Sequence, residues 1–471
     1  MFGLKVNRNS DLSLTRQLCD QLRDIIEKKQ INGGERLPST RQMSREYKVS
    51  RNVIIEVYEQ LIAEGYLESK LGSGTYVSEN IYDNEFIERN RSGYSEERLI
   101  VENQIDEDII HFAGGIPDFE LFPGKQWSNY LKMAVEDSPS VIFDYGDIMG
   151  DYELKKVLTE YLFRVKGIRC NPDQIIIVSG SAQGFLLISR VFEDKYNSIC
   201  VEEPTVNFIK TIFKNLYYDI NPVNVDQNGM QIDELIKDNT PRLILLTPSH
   251  QYPTGSILPI QRRQKAIEIA ETTDSYLIED DYDSEFRLKG VPIPPLQVLN
   301  PSRVVYVSTF SKNMSPGLRM GFLVVPKDLL DKFYDMKTAL YLRTSTIKQR
   351  AMANFINDGH LDRQIYQMRK EYKKRRSLLA ETLIEIFRED ISIKGDETGM
   401  HLHLEFHSEK YNSINWDQSN SYGVQVHTFN EYSISKQENF NKHLVLGYGN
   451  LSTSQIKEGI KRLELFIKDK L

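Results

Sequence analysis

The feature that most constrains this chain is an apolar run that leads directly into a hydroxyl-rich turn carrying one lysine. Val304–Val307 has the composition of a buried strand, and Lys312 lies in the turn that follows it. Burial among apolar neighbours lowers the pKa of a lysine, so Lys312 could attack an aldehyde and form a Schiff base. A surface position after a strand is the alternative. Side chains suited to holding a phosphate surround the lysine in sequence, namely Ser308, Thr309, Ser311 and Arg319.

Two further segments place polar side chains next to strand-like runs. Tyr276–Ile278 is apolar and leads into Glu279–Asp281, as a parallel strand does when it delivers side chains to the carboxyl edge of a sheet. Val178–Gly184 is a small-residue turn that enters a helix, and a helix N-terminus exposes unpaired N–H groups that bind phosphate. Taken alone, the first segment is also compatible with a solvated acidic turn, and the second is weak evidence.

Together with Thr247–Gly255 and Asp144–Gly146, these segments resemble the motifs with which fold-type I aminotransferases bind pyridoxal 5′-phosphate (PLP). The resemblance runs from about residue 111 to the C-terminus and implies a large α/β, PLP-dependent transferase-like domain. It implies that Lys312 forms the Schiff base, that Asp280 keeps the pyridine nitrogen of PLP protonated, and that Tyr282 bonds its 3-oxygen. The other cofactor-binding residues that it implies are Ser181, Gln183, Tyr252 (where these enzymes carry asparagine), Thr309, Ser311, Arg319 and, reaching the PLP phosphate of a neighbouring subunit, Tyr145.

The first eighty residues predict a different module. The stretch 37–63 has the pattern of two helices separated by a turn near Lys48, with Ser39 and Ser50 as candidate N-caps, and 67–77 has the pattern of a hairpin. This order resembles the winged helix-turn-helix of the GntR family, mostly α with a small β wing, and implies binding to double-stranded operator DNA. A winged domain used for protein contacts is the alternative. The side chains expected at DNA are Ser39, Arg41, Ser50, Arg51, Asn52, Gly72 and Ser73.

Charge agrees with a local DNA-binding surface. Residues 36–51 hold five Lys/Arg against one acid, whereas the whole chain has a formal net charge of −8. Residues 81–110 hold nine Asp/Glu against three Lys/Arg without an amphipathic period, which predicts an extended acidic linker. We therefore expect three segments: the winged domain at 1–80, the linker at 81–110 and the aminotransferase-like domain at 111–471.

The cysteine count and the absence of long apolar runs indicate the cellular compartment of the protein. The chain has three cysteines, no signal-like apolar N-terminus and no run long enough to span a membrane, so we expect a reducing, cytoplasmic location. His401 and His403 alternate along one strand-like segment, but no candidate ligand lies near them in sequence. We expect ordinary strand histidines and no metal site.

A GntR-like domain joined to an aminotransferase-like domain is the plan of the MocR family of bacterial transcriptional regulators. This resemblance implies a head-to-tail homodimer that holds PLP in its large domains and operator DNA at its small ones. A working aminotransferase with an appended binding module is the alternative. Aminotransferases fix the substrate carboxylate with an arginine near the last strand, and the corresponding residue here is Asn450. The sequence therefore favours a sensor over an enzyme.

The same comparison bears on the signal that is sensed. GABA-responsive family members carry an arginine shortly after a Glu-Glu-Pro motif, and here Phe208 stands in that position, with Val206 in place of the ring-stacking aromatic residue. PLP itself, in control of vitamin B6 synthesis genes, is the leading hypothesis. Arg287 or Arg343 could restore an anion site in three dimensions, so a regulator that senses an amino acid such as GABA or D-alanine through PLP remains the alternative.

Overall fold

The computed structural model describes residues 2–8, 10, 12–79, 108–137, 142–193, 195, 197–236, 243–288, 293–395, 398–435 and 438–471. Its contacts divide the chain into two compact units, Met1–Gln104 and Ile105–Leu471. Most of the expected acidic linker, 81–107, falls outside the described residues.

The described part of the N-terminal unit contains three helices followed by a hairpin. The helices are α1 (Leu14–Glu27), α2 (Thr40–Glu46) and α3 (Arg51–Ala63), and the strands are β1 (Leu67–Lys70) and β2 (Gly74–Val77). The strands pair antiparallel, with Leu67 opposite Val77 and Lys70 opposite Gly74. This is the predicted order of a winged helix-turn-helix.

The starts of α2 and α3 are fixed by serine caps, as expected. The Ser39 hydroxyl accepts from the backbone N–H of Gln42 at 3.3 Å in a capping box, and the Ser50 hydroxyl accepts from that of Val53 at 3.3 Å. Helix α3 buries one face at helical spacing, through Ile54, Val57, Tyr58 and Leu61. That face packs on the apolar side of α1, which leaves the opposite side of α3 exposed to solvent.

The larger unit is built on one mixed sheet. Its strands are β4 (Ile175–Val178), β5 (Ser198–Glu203), β6 (Asp219–Asp226), β7 (Gly229–Met230), β8 (Leu243–Leu246), β9 (Tyr276–Asp281), β10 (Val304–Thr309) and β11 (Gly321–Val324). The spatial order is β4-β11-β10-β9-β8-β5-β6-β7. Strands β10, β9, β8, β5 and β6 are parallel, whereas β11 runs antiparallel to both of its neighbours. Every residue of β4, β8, β9, β10 and β11 is buried, which explains their near-continuous apolar sequences.

Helices cover both faces of this sheet. They are α4 (Gly124–Asp137), α5 (Tyr152–Lys166), α6 (Ser181–Phe192), α7 (Asn207–Asn215), α8 (Ile260–Thr272), α9 (Leu296–Leu299), α10 (Leu330–Ala339), α11 (Thr346–Asn357) and α12 (His360–Phe387). Separate apolar clusters lie on the two sides. One joins β4 and β10 residues to α5, α11 and α12, and another joins the other faces of these strands to α6 and α7. The arrangement is the α/β architecture expected for this part of the chain.

A smaller antiparallel sheet follows α12 and completes the unit. Its strands are β12 (Ile391–Lys394), β13 (His401–Phe406), β15 (His427–Thr428) and β16 (His443–Gly447), in the order β12-β13-β16-β15. The last helix, α13 (Thr453–Lys470), packs against α12, and a short parallel pair joins β3 (Ile110–His111) to β14 (Val424–Gln425). Within the described residues, no helix combines the length and the apolarity that crossing a membrane requires.

Candidate functional site

The ends of β9 and β10 define the site. These strands are parallel neighbours in register, with Val307 opposite Asp280 and Ser308 opposite Asp281. Carboxyl ends of parallel strands meet at one edge of a sheet, so the acidic end of β9 and the lysine turn after β10 open on the same side. The two segments that were separate in sequence are thereby brought together.

A cavity of about 490 Å³ opens at this edge. Eight of the residues expected at a cofactor line it: Ser181, Tyr252, Asp280, Tyr282, Thr309, Ser311, Lys312 and Arg319. The only cations among its described lining residues are Lys312 and Arg319, and the only anion is Asp280.

Lys312 lies deep in this cavity. Its amine donates a hydrogen bond of 2.6 Å to the carbonyl oxygen of Gly115, and burial lowers the pKa of Lys312 below its usual value. Gly115 has φ +75°, and a Cβ at that position would lie 3.1 Å from the lysine amine. The glycine therefore leaves room for the amine, which burial makes a better nucleophile.

The cavity perturbs the electrostatics of Asp280. Its side chain is buried, and its Oδ1 has no hydrogen-bond partner in the described structure. Burial, followed by the neighbouring charges of Asp281, Glu202 and Asp283, raises the pKa of Asp280 to about 8. A buried carboxyl oxygen without a partner is the arrangement expected where a bound group supplies the missing contact.

A seat for an anion lies at the start of α6. Gly180 caps this twelve-residue helix with φ +102°, and the guanidinium of Arg319 lies 3.7–3.8 Å from the position a Cβ on Gly180 would occupy. Arg319 itself adopts the left-handed conformation, with φ 48° and ψ 62°, which is uncommon for a residue other than glycine. The Thr309 hydroxyl donates to Ser311 at 2.9 Å beside them. Helix N-terminus, guanidinium and hydroxyls together fit a phosphate.

Tyrosines form the opposite wall of the cavity. The Tyr252 hydroxyl donates to that of Tyr432 at 3.0 Å, and the Tyr252 and Tyr282 rings meet edge to face at 6.3 Å. A Cβ on Gly114 would lie 2.6 Å from the Tyr252 hydroxyl, so the glycine is required for this closeness. Gly114, Gly115 and Tyr432 were missed by the sequence reasoning, although the Gly-Gly pair after an apolar strand was a detectable signal.

Two expected cofactor residues lie outside the cavity of this chain. The side-chain oxygen of Gln183 accepts from the backbone N–H of Ser179 at 2.7 Å, so Gln183 braces the start of α6. Tyr145 is exposed, and its ring meets Tyr341 at 6.4 Å and lies under Arg343. Its expected role concerns a neighbouring subunit, so it stays a prediction.

The next residues are those at positions where relatives stack on the PLP ring or bind a carboxylate, together with the two arginines that could replace such a binding site. Val206 and Phe208 line the cavity as expected from their sequence positions. Arg343 lies outside the lining and donates to the carbonyl oxygens of Tyr145 and Gly146, and Arg287 and Asn450 are likewise absent from it. Neither arginine restores a cation at this cavity.

The expectation that His401 lacks nearby ligands is wrong in three dimensions. His250, Asp283 and His401, all buried, offer ligand-type atoms that lie within 4.8 Å of one another. Strand β13 brings His401 against the loop after β8 and the turn after β9, which are far apart in sequence. No local pattern could have shown this grouping, because it arises from packing of the small sheet on the large one.

The residues expected at DNA are exposed in the N-terminal unit. Arg51 and Asn52 begin α3, Arg41 lies in the first turn of α2, and Gly72 and Ser73 form the tip of the hairpin. The hydroxyls of the remaining two, Ser39 and Ser50, cap α2 and α3 as described above. The helix starts and the hairpin tip therefore offer polar groups to solvent.

Two family models match the chain in these same two regions. The model of aminotransferase class I and II matches residues 107–463, and that of bacterial regulatory proteins of the gntR family matches residues 14–77. The protein is therefore a winged helix-turn-helix of the gntR type fused to an aminotransferase-type domain.

Similarity to whole regulators extends over both parts. The chain is 33% identical to the uncharacterized HTH-type transcriptional regulator YdeL of Bacillus subtilis, over 98% of each chain. It is 30% identical to the probable rhizopine catabolism regulatory protein MocR of Rhizobium meliloti, over 98% of this chain and 95% of that one. It is also 30% identical to the HTH-type pyridoxine biosynthesis transcriptional regulator PdxR of Corynebacterium glutamicum, over 81% of each. The chain belongs to the MocR family of transcriptional regulators.

Solved aminotransferases share the fold of the large unit. The multiple substrate aminotransferase of Thermococcus profundus superposes with a TM-score of 0.70 at 26% identity, covering 81% of this chain and 98% of that one. The kynurenine aminotransferase of Pyrococcus horikoshii, solved in complex with PMP, gives the same TM-score and identity over 82% of this chain and 99% of that one. The fold expected from the sequence, a winged helix followed by a fold-type I domain, is confirmed.

Proposed function

We propose that this regulator binds PLP in the cavity at the ends of β9 and β10, and that PLP is the signal that changes its binding to operator DNA. The observation that carries the proposal is the set of three groups that meet there. They are a partly buried lysine amine at Lys312, a carboxyl oxygen without a hydrogen-bond partner at Asp280, and an anion-binding position formed by Gly180 and Arg319.

Each group fits one part of the cofactor. When bound, PLP supplies an aldehyde and a ring that accepts electrons once its nitrogen is protonated. Lys312 would hold the aldehyde carbon through its deprotonated amine, and Asp280 would share a proton with the ring nitrogen. The hydroxyl of Tyr282 would donate to the 3-oxygen. Arg319, the N–H groups at the start of α6, Ser181, Thr309 and Ser311 would hold the phosphate.

The lining of the cavity favours PLP alone over an amino acid as the signal. Its two cations are both assigned to the cofactor, Lys312 to the aldehyde and Arg319 to the phosphate. An amino acid that entered beside PLP would bring its carboxylate against Val206 and Phe208, where the described lining offers no charge to replace the lost hydration. The same lack supports a sensor over an aminotransferase, which must anchor a substrate carboxylate.

The target that we propose is the synthesis of vitamin B6. The relative from C. glutamicum is named a pyridoxine biosynthesis regulator, which supports the assignment. A regulator that senses the end product of that synthesis needs to recognise PLP and nothing more, which agrees with a cavity that lacks a second anion site.

DNA binding is assigned to α2, α3 and the hairpin tip of the N-terminal unit. Arg51 and Asn52 would face base edges or phosphates, with Arg41, Gly72, Ser73 and the capped helix starts at Ser39 and Ser50 along the backbone. A head-to-tail homodimer would place two such units on two half-sites. The exposed ring of Tyr145 supports the dimer, since its hydroxyl would be free to donate a hydrogen bond to the cofactor phosphate in the neighbouring subunit.

Borohydride reduction tests the cofactor assignment. The unaltered protein incubated with PLP should retain about one equivalent after reduction and denaturation, attached to the peptide that contains Lys312. Lys312→Ala should retain none, whereas Lys332→Ala, an exposed lysine on α10, should behave as the unaltered protein. Fixed PLP in the Lys312→Ala protein, on any peptide, would contradict the assignment.

Titration of PLP against operator binding tests the regulatory role. We expect the affinity for the DNA upstream of the protein's own gene to change with PLP concentration, and to be insensitive to PLP in Lys312→Ala. A turnover assay with amino-acid and keto-acid pairs separates the alternatives. Sustained multiple turnover at enzyme-like rates would contradict the sensor assignment.

A further inference from the structure

A buried pair of side chains lies directly behind the wall of the cavity. The Nδ1 of His250 lies 2.9 Å from Oδ2 of Asp283, and both side chains are about 1% exposed. The hydroxyl of Tyr282 lies 3.1 Å from the same Nδ1, with the two rings stacked at 6.1 Å and 28°. One ring nitrogen is therefore shared between a carboxylate and the phenol that lines the cavity.

The chemistry of this nitrogen decides the direction of the hydrogen bonds. Nδ1 carries at most one hydrogen, and the carboxylate of Asp283 is the stronger and nearer acceptor, so that hydrogen points toward Asp283. The Tyr282 hydroxyl then cannot donate to Nδ1, because no lone pair remains there. Its oxygen can accept only a share of the N–H, and its own proton is left for an acceptor inside the cavity.

The surroundings hold this pair in one orientation. A Cβ on Gly399 would lie 2.2 Å from Cε1 of His250 and 2.5 Å from Oδ2 of Asp283, so only glycine leaves room for them. On its other side the His250 ring packs on His401 at 4.7 Å, and His401 packs on Tyr252 at 5.0 Å. Burial, followed by the neighbouring His250, lowers the pKa of His401 well below its usual value, so His401 stays neutral.

We propose that Asp283 and His250 are positioning residues that direct the Tyr282 hydroxyl proton into the cavity and thereby set the protonation state of the bound cofactor. This inference rests on the proposed function, since the acceptor in the cavity is the 3-oxygen of PLP. An N–H shared with the phenol oxygen polarises that hydroxyl and makes it a stronger donor. The pair therefore stabilises the form of the cofactor whose 3-oxygen is anionic, and it does so without touching the cofactor.

Other titratable groups face the same region. Apart from Asp283 and His250 themselves, those that act on Tyr282 and on His401 from the surrounding elements are Glu202, Tyr252, Asp280 and Lys312, and these four are unchanged in every variant of the test. In the hydrogen bonds of the described residues, none of these four reaches the Tyr282 hydroxyl as Nδ1 of His250 does.

The test is a pH titration of the visible absorption band of PLP bound to the full-length protein. His250→Phe keeps the ring stack and removes the N–H. The midpoint pH of the spectral transition should rise by about 0.4–1 pH unit in this variant, which is the equivalent of one net hydrogen bond. Tyr282→Phe should move the same way. The double variant should show no further shift over Tyr282→Phe, because His250 acts only through that hydroxyl.

Two further variants complete the design. His403→Phe is the matched control, since His403 is buried on the same face of β13 but bonds His443 at 2.9 Å and does not line this cavity; its transition should stay unchanged. Asp283→Asn should shift the transition upward by a smaller amount. If the intrinsic fluorescence shows that His250→Phe does not fold, the shift in Asp283→Asn alone tests the positioning role.

The outcomes separate this inference from the function on which it rests. If borohydride fixes no PLP in the unaltered protein, the proposed function fails. If PLP is fixed but the His250→Phe transition is unmoved, or if its shift persists in the Tyr282→Phe background, the positioning role is overturned. A shift in the unaltered protein on adding EDTA would overturn it too, since a divalent cation held by His250, Asp283 and His401 would then be in control.

Discussion

Removing the amine of Lys166 should destabilise the larger unit strongly, because that amine forms ion pairs with two buried acids next to the cavity-lining strand end. Its Nζ lies 2.9 Å from Oδ2 of Asp281 and 3.1 Å from Oε1 of Glu285, and the three side chains are 2%, 2% and 7% exposed. Burial opposes the charge of Lys166, but the two carboxylates outweigh it and raise its pKa. Lys166→Met keeps the length of the side chain and leaves both acids without their partner.

The loss of unfolding free energy can be worked out because, without Lys166, one of the two buried carboxylates must become protonated. Breaking one side of a buried ion pair costs about 3–5 kcal/mol. Holding one glutamic acid protonated at pH 7 costs a similar amount, about 3.7 kcal/mol, since its unperturbed pKa is about 4.3 and each pH unit is worth about 1.36 kcal/mol. At pH 5 the same cost is about 1 kcal/mol. A carboxyl whose folded-state pKa is raised loses no stability below its unfolded pKa and loses more as the pH rises, so the deficit of the variant should shrink in acid.

Urea unfolding followed by intrinsic fluorescence is the measurement. The two tryptophans of the chain, Trp127 and Trp416, both lie in the larger unit, so their signal follows that unit alone. Lys468→Met is the control, because its exposed pair with Glu464 on α13 should be worth at most about 1 kcal/mol. A deficit below about 1 kcal/mol for Lys166→Met at pH 7, or one that does not change between pH 7 and pH 5, would refute the reasoning.

Three other outcomes are expected. Arg51→Ala should weaken operator binding by about 1–3 kcal/mol if the guanidinium contacts a guanine, and by less if it contacts a phosphate, while PLP binding stays unchanged. Arg16→Ala on α1 is the control, and an undiminished affinity of Arg51→Ala in a gel-shift titration would show that α3 is not the recognition helix. Asp280→Asn should weaken PLP binding by about tenfold to a hundredfold in equilibrium dialysis, since a charge-assisted hydrogen bond is lost, and unchanged affinity would remove Asp280 from the ring nitrogen. GABA, D-alanine and common L-amino acids at millimolar levels should leave both the absorption spectrum of the PLP-bound protein and its operator affinity unchanged. A saturable spectral shift at sub-millimolar concentration, together with altered DNA binding, would refute PLP as the sole signal.

The parts of the site that depend on local sequence could be predicted. Ser39 and Ser50 act as caps within their own helices, and the apolar runs before Asp280 and Lys312 form strands because each is buried on both faces. Parallel pairing then brings the two strand ends together, which the order of the segments already implied. Family resemblance supplied the assignment of roles within this edge.

The parts that depend on contacts distant in sequence could not be predicted. His250, Asp283 and His401 meet only because the small sheet packs on the loops of the large one, and Tyr432 reaches Tyr252 from a short helical turn with no periodic pattern. Gln183 was expected at the cofactor, but its side-chain oxygen accepts a hydrogen bond from the backbone N–H of Ser179 and the residue does not line the cavity. A motif fixes the position of a residue in sequence, whereas competing hydrogen bonds fix the direction of its side chain.

The anion seat of Gly180 and Arg319 has a consequence for selectivity among the forms of vitamin B6. On the proposed function, an unphosphorylated vitamer would meet the same lysine and the same aspartate but would leave the guanidinium and the start of α6 without their partner. Each charge-assisted contact forfeited in this way is worth about 1.5–3 kcal/mol, so two of them separate the vitamers by roughly a hundredfold or more. The regulator would thus respond to the phosphorylated cofactor and not to its unphosphorylated forms, so gene expression would follow the concentration of the form that enzymes use.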